Sequence, residues 1–301
     1  LRTLTGVRDL LLATCSQLPD GDEDAALLLD ALGSRGISAR WQAWTEPDAG
    51  WDVPTVLRST WDYTADRDAF LAWAASVPTL LNPEPVARWS SDKTYLAELA
   101  SAGLPVVPTA AYPPGQAPDL PQDVEFVIKP SVGAGSRGCG RFEAGDFGGA
   151  LSHAADLHGE GRTLLVQPYV CGVDEQGETA LLYFGGVFSH AIAKGAMLPP
   201  ATVYPSVKPA KGAMVDDGAE LFVPERVTAR SASEDELAVG DKAIAFIRER
   251  FGADLLYARV DVLPTVDGPV IGELELVEPS LFLGYAGGAA DRFAAAVAAV
   301  L

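Results

Sequence analysis

Two triplets, Arg259-Val260-Asp261 and Glu273-Leu274-Glu275, carry the first chemical signal in the chain. Residues two apart on a strand face the same side, so Arg259 projects with Asp261 and Glu273 with Glu275. Between them Thr265-Val266-Asp267-Gly268 contains an Asp-Gly turn signal, and a hairpin closed there makes the three carboxylates converge. Crowded carboxylates raise one another's pKa unless a cation compensates them. A hard divalent ion such as Mg²⁺, bridging to phosphate oxygens, is the natural compensation. The alternative is a solvated strand face of alternating charge.

The second signal is Lys129-Pro130-Ser131-Val132-Gly133-Ala134-Gly135-Ser136-Arg137-Gly138-Cys139-Gly140, a lysine at a strand end followed by a glycine-rich loop. Backbone amides freed of side-chain bulk can cradle phosphate oxygens, and the ammonium supplies a point charge. Gly133, Gly135 and Gly138 satisfy G-x-G-x-x-G, the dinucleotide fingerprint, but that motif needs a helix to start inside the loop. Here Gly138 to Phe142 reads as a returning strand, so the loop is a hairpin flap. No Gly-Lys-Ser/Thr closes a Walker pattern either. An ordinary flexible hairpin is the alternative. The two signals support each other, because phosphates and their magnesium need both a cationic cradle and oxygen ligands.

The elements that position these groups follow from periodicity and punctuation. Strands are expected at Asp9–Thr14, Ala39–Trp44 and Thr55–Ser59, with helices at Asp22–Arg35 and Asp66–Ala75 between and after them, an alternation that implies a parallel sheet. Ser90 and Ser91 are expected to cap a helix running to about Ala102, stopped by Gly103-Leu104-Pro105. Strands are expected at Val124–Lys129, Thr163–Gln167, Glu178–Phe184, Val187–Lys194, Tyr257–Leu263 and Val270–Leu276. Helices are expected at Ala144–His158 and Glu234–Arg250. All six tryptophans fall within the first 89 residues, which places a boundary near Trp89.

Length suits about two domains at a prior of ~150 residues each, and 48% hydrophobic residues suffice for real cores. Twenty-two Lys+Arg against 41 Asp+Glu leave a formal charge of -19, which works against nucleic acid and anionic lipid surfaces as partners. No stretch approaches the ~18 apolar residues of a spanning helix, and Val7–Ala13 is too short, and has an acid in the wrong place, for a signal-peptide core. Cys15, Cys139 and Cys171, odd in number and far apart, suit a reducing cytoplasm.

The ordered set Asp92-Lys93, Phe126-Val127-Ile128-Lys129-Pro130 with its flap, Val166-Gln167-Pro168-Tyr169-Val170, Gly177-Glu178-Thr179, Ala193-Lys194, Arg259-Val260-Asp261 and Glu273-Leu274-Glu275 resembles the ATP-grasp superfamily from Asp92 to about Leu283. Leu57-Arg58-Ser59-Thr60-Trp61-Asp62-Tyr63, Asn82-Pro83 and Glu273 to Phe282 look like its branch of cyclo-ligases acting on O-ureido-D-serine in cycloserine biosynthesis. The resemblance implies an α/β chain: a pre-ATP-grasp domain with a small parallel sheet at 1–89, a small subdomain with the glycine flap at 90–166, and a C-terminal subdomain with the metal site at 167–301. It implies ADP-forming carboxylate-amine ligation through an acyl phosphate on an amino-acid-like small molecule. An intermolecular ligase, or a nucleotide-binding protein without ligase chemistry, is the rival. A homo-oligomer is left open.

Carried over by position, Lys93, Lys129 and the flap residues Ser131, Gly133, Gly135, Ser136 and Gly138 would hold and cover the ATP phosphates. Gln167, Tyr169 and Val170 would flank adenine, and Glu178 would take the ribose hydroxyls. Asp261, Glu273 and Glu275 would bind two Mg²⁺ ions, for which Mn²⁺ can substitute. Arg259 and Lys194 would serve the transferring phosphoryl group. Glu275 departs from the family, where many relatives carry asparagine. Arg58 and Asp62, following a strand at its C-terminal end, are expected to grip substrate carboxylate and amine, with Tyr63 and Ser280 beside them; the alternative is a helix-capping Asp62 with Trp61 in the core. The loop Leu198 to Met214 is expected to complete the acceptor pocket. His153 and His158 read as solvent-facing, and His190 as a packed neutral ring, with a phosphate-facing position as the alternative.

Overall fold

A computed structural model describes residues 8–46, 50–205 and 225–301. Three sheets organise these residues. The first is parallel, ordered β2-β1-β3-β4, from β1 (Arg8–Thr14), β2 (Ile37–Ala43), β3 (Thr55–Ser59) and β4 (Leu80–Leu81). The second, antiparallel, is ordered β5-β8-β6-β7, from β5 (Ala110–Tyr112), β6 (Phe126–Pro130), β7 (Gly140–Phe142) and β8 (Leu164–Pro168). The third, also antiparallel, is ordered β11-β10-β9-β12-β13, from β9 (Glu178–Phe184), β10 (Val187–Lys194), β11 (Val227–Arg230), β12 (Tyr257–Thr265) and β13 (Gly268–Glu275).

The run Leu10-Leu11-Leu12-Ala13 is apolar without alternation because β1 is covered on both faces. Leu10 and Leu12 pack with Leu28 and Leu32 of helix α1 (Ala25–Gly33). Ala13 and Leu57 meet an aromatic cluster in which Trp44 and Trp73 contact Phe70 of helix α2 (Arg67–Ser76) at 5.5 and 5.6 Å between ring centres. Trp89 is not part of that cluster: it stacks on Tyr95 at 4.7 Å and joins the core beside the third sheet.

The helix expected from Ser90 to Ala102 is two helices, α3 (Glu84–Ser90) and α4 (Tyr95–Ser101). Ser90 ends the first, and its hydroxyl donates to the Leu274 carbonyl and accepts from the Leu276 amide. A serine committed to bracing β13 is not available as a cap. The interruption leaves Lys93 in the turn between the helices, from which its amide reaches the Ser131 carbonyl at 2.8 Å. Beyond these come helix α5 (Phe147–Gly159), which backs the flap, and the short helix α6 (Gly172–Gln176). Helix α7 (Glu234–Phe251) starts with a Ser233/Glu236 capping box and stops at Gly252 in the left-handed region. The last helix, α8 (Ala289–Val300), sends Phe293, Ala294 and Val297 into the same core as Leu10, Leu28 and Leu182. One core thus ties the first sheet to the third and fixes the cleft between them.

Candidate active site

The β12–β13 hairpin forms across Thr265 and Gly268, and its register sets Asp261 opposite Glu273 and Arg259 opposite Glu275. All four side chains line a cleft of about 460 Å³ at the meeting of the three sheets. The carboxylates share a face but do not close on one point: among the described residues, no three His, Cys, Asp or Glu side chains are grouped as around a metal ion. Each is held by a cation of the chain itself. The Arg259 guanidinium donates to both Asp261 oxygens, at 2.8 and 2.9 Å, and to Glu275. Lys194 Nζ reaches Asp261 at 2.9 Å, Glu225 at 3.3 Å and Glu178 at 3.4 Å. Lys93 Nζ pairs with Glu273 at 3.0 Å and donates to the Gly133 carbonyl of the flap at 2.5 Å.

These pairings set the protonation states. Burial raises a carboxyl's pKa, but Arg259 and Lys194 outweigh it at Asp261 and hold that group at about 2. Lys93 and Lys129 likewise overcome burial and hold Glu273 below its usual range. Glu275 is pushed up to about 8 by burial and by repulsion from Asp261 and Glu273, against the pull of Arg259. Burial pushes Glu278 to about 7, beside the Tyr63 hydroxyl it bonds. Lys194 is buried, yet Asp261 and Glu178 keep it charged well above the usual lysine range.

The flap is a hairpin, with Phe126 opposite Phe142 and Ile128 opposite Gly140, and no helix starts within it. Gly135, Ser136 and Gly138 take positive φ values of 62, 58 and 71°. Lys129, Gly133, Gly135 and Ser136 line the cleft, whereas Ser131 and Gly138 brace it. Ser131 exchanges backbone bonds with Lys93 and Thr163, and the Gly138 carbonyl is bonded to His153 at 3.0 Å. His153 is therefore buried behind the flap and not solvent-facing, and half-buried His158 bonds the Tyr112 carbonyl at 3.1 Å. Both differ from expectation because α5 turns its histidines toward its own sheet.

Gln167, Tyr169 and Val170 line the opposite wall, where β8 ends. Gln167 donates to Thr109 at 2.7 Å, and Tyr169 donates to Asp174 at 2.6 Å. Arg141, which sequence reasoning used only as a strand residue, lies 3.5 Å from the centre of the Tyr169 ring and pairs with Glu125 and Asp174. Glu178 stands opposite Lys194 in the β9–β10 register. A glycine at 177, with φ +71°, is needed there because a Cβ would lie 2.4 Å from the Lys194 carbonyl oxygen.

The substrate-side expectations divide. Tyr63 and Ser280 line the cleft; Arg58 and Asp62 do not. Arg58 is wholly buried, paired with Asp22 at 2.8 Å and donating to the Pro279 carbonyl at 2.9 Å. Asp62 accepts from the Trp44 indole at 2.6 Å, and burial pushes it up to about 6. The direct grip on a substrate headgroup is corrected accordingly: a segment closes over the strand end that sequence reasoning left open. Trp61, at the same strand end and with a core position as its alternative, lines the cleft too, and Asp22, Glu23, Glu225 and Phe282 line it and were missed. Clustered acids at the end of β1, the edge where parallel sheets present ligands, were the available signal for Asp22 and Glu23. Of the Leu198 to Met214 loop, the part up to 205 is described: Arg141 bonds the Leu198 carbonyl, and Thr202 and Tyr204 pair with the β7 end of the flap. The remainder lies outside the described residues.

Comparison with known proteins decides the family. The chain is 37% identical to the cycloserine biosynthesis protein DcsG of Streptomyces lavendulae, over 92% of this chain and 93% of that protein. It belongs to the D-cycloserine synthetase family. Residues 10–82 match the family profile described as the N-terminal domain of D-cycloserine synthetase DcsG. A crystal structure of D-cycloserine synthetase DcsG superposes with a TM-score of 0.83 at 37% identity, covering 97% of this chain and 99% of that one. The D-alanine–D-alanine ligase of Bacillus anthracis shares the fold, with a TM-score of 0.62 at 13% identity, over 97% of this chain and 96% of that one. So does a RimK-domain ATP-grasp protein of Sphaerobacter thermophilus, at 0.59 and 21%, over 96% and 98%. As a family member on the ATP-grasp fold, the chain is an ATP-dependent ligase. No helix among the described residues is long and apolar enough to cross a membrane.

Proposed function

We propose that this ligase closes a ring within one amino-acid derivative, with O-ureido-D-serine as the candidate substrate. The substrate carboxylate attacks the γ-phosphoryl group of ATP, ADP leaves, and a nitrogen of the same molecule displaces phosphate from the acyl phosphate. The cytoplasm, which supplies ATP and keeps Cys15, Cys139 and Cys171 as the free thiols found here, is the proposed compartment.

The observation that carries the reading is the cleft floor. Lys93 links the flap to Glu273 while Arg259 and Lys194 hold Asp261, so phosphate-binding cations and oxygen ligands occupy one surface. Asp261, Glu273 and Glu275 offer hard carboxylate oxygens on one hairpin face, a donor set that fits magnesium. Bound there, magnesium would neutralise charge on the transferring phosphoryl group. The lysine and arginine partners that hold these carboxylates would then turn to phosphate oxygens, an exchange of one anion for another at unchanged cation positions. Lys93, Lys129 and the flap amides would orient the triphosphate. Gln167, Tyr169 and Val170 would flank adenine, with Arg141 stiffening the Tyr169 ring, and Glu178 would accept from the ribose hydroxyls. Arg259 would stabilise the phosphoryl transfer and then the tetrahedral oxyanion. Tyr63 and Ser280 would face the amino-acid end.

ADP release against amino-acid derivatives, singly and in pairs, tests the reading. Turnover with one compound alone, giving a cyclic product by mass spectrometry, is the expected result. A strict need for two compounds would replace cyclisation by intermolecular ligation.

A further inference from the structure

The segment after β13 leaves the sheet at Leu276, so its backbone carbonyls have no neighbouring strand to bond. Buried carbonyls left unpaired are costly. Here, consecutive carbonyls from 276 to 281 each accept from a side chain elsewhere in the chain. Leu276 accepts from Asn82 at 2.8 Å, Val277 from the Tyr257 hydroxyl at 2.6 Å and Glu278 from the Trp61 indole at 2.9 Å. Pro279 accepts from Arg58 at 2.9 Å, Ser280 from Arg259 at 3.4 Å and Leu281 from His190 Nε2 at 3.0 Å. Alternate side chains of this strap, Glu278, Ser280 and Phe282, line the cleft. Phe282 lies 5.6 Å below the Arg259 guanidinium, ring centre to carbon.

The last clamp is the most defined. A carbonyl can only accept, so His190 carries its proton on Nε2. Burial keeps the ring neutral by lowering its pKa. Bare Nδ1 then accepts from the Ser189 hydroxyl at 2.9 Å, and Ser189 in turn accepts from Arg292 Nε at 2.9 Å. The relay from α8 fixes both ring tautomer and ring plane. It acts one residue before Phe282, which holds a left-handed backbone at φ 50° and ψ 42°. A bulky residue persists in that region only where its surroundings over-determine it.

We infer that His190 is a positioning residue for the acceptor half of the cleft: by clamping the Leu281 carbonyl it holds Ser280 and Phe282 where the amino-acid end of the substrate is oriented. The activity arm of its test rests on the ligase reading above. His190→Phe keeps a ring but removes both nitrogens, and His190→Gln retains a donor for the Leu281 carbonyl. In the substrate-free protein, amide exchange across 276–283 is expected to speed about 10-fold in His190→Phe, the scale of one lost buried hydrogen bond, and to stay near wild type in His190→Gln. The KM for the amino-acid substrate is expected to rise about 10-fold in His190→Phe with kcat within about threefold, because Arg259 keeps its two bonds to Asp261. Affinity for a non-hydrolysable ATP analogue stays unchanged, and His190→Gln restores KM. Ser189→Ala, a milder cut in the same relay, moves exchange and KM the same way. Unchanged exchange in His190→Phe, a Gln variant no better than Phe, or an equal loss of ATP affinity overturns the inference. Exchange needs no turnover, so a wild-type protein that releases no ADP would sink the ligase reading alone.

Discussion

Arg259 with Asp261 on β12, and Arg58 on β3 with Asp62 just beyond its end, are two arginine–aspartate couples close in sequence, and the fold uses them in opposite ways. On β12 both side chains open onto the cleft, with Glu273 and Glu275 across the hairpin and Lys194 alongside. At the end of β3 the arginine is sealed beneath the strap and the aspartate turns back onto Trp44. The first pair is a charged surface on the cleft wall; the second is bonded into the scaffold. Sequence spacing tells which side chains share a face, but whether that face is covered depends on a segment more than 200 residues away, here the one carrying Pro279.

The contrast is sharpest in variants that preserve shape. Asp261→Asn keeps volume but removes the charge shared by Arg259 and Lys194, and ADP formation is expected to fall by on the order of 10³-fold with the fold intact by circular dichroism. Near-wild-type turnover would remove the β12 pair from the chemistry. Arg58→Met should act on stability instead: Asp22 is left buried without its partner and the Pro279 carbonyl without its donor, a loss of about 3–5 kcal/mol in a denaturant titration. An unchanged midpoint together with much weaker substrate binding would return Arg58 to the substrate.

Asp62 gives the smallest effect and a signed pH dependence. Burial raises its folded pKa to about 6, above the ordinary carboxylate value of about 4, so folding disfavours the charged form. Stability from this group is greatest at low pH and falls as pH rises from about 4 to about 6, staying at its lower value above that. Asp62→Asn keeps an acceptor for the Trp44 indole without the charge. It is expected to raise Tm by about 2–4 °C at pH 7.5, the scale of ~1 kcal/mol in a domain this large, and by less at pH 4.5. Equal Tm shifts at both pH values would contradict a buried, charge-disfavoured Asp62.

Much of the candidate site was legible because its groups are local in sequence. Arg259-Val260-Asp261 and Glu273-Leu274-Glu275 each fix a shared face through the two-residue period of a strand, and Asp267-Gly268 supplies the turn that joins them. The flap was legible for the same reason: glycines relieve steric limits on φ, and Gly140-Arg141-Phe142 returns as a strand beside Phe126–Ile128. The parallel first sheet followed from strand-helix alternation. What the chain alone left undecided is longer-ranged. Ser90 reads as a helix cap until β13 claims its hydroxyl. His153 reads as a surface residue until the flap packs over it. His190 and Arg58 gain their partners only when α8 welds the first sheet to the third and the strap is drawn between them. Local periodicity is written in neighbouring residues, so the sequence determined which faces carry charge. Burial and hydrogen-bond satisfaction are sums over distant segments, so only the tertiary structure decided which of those faces became the site.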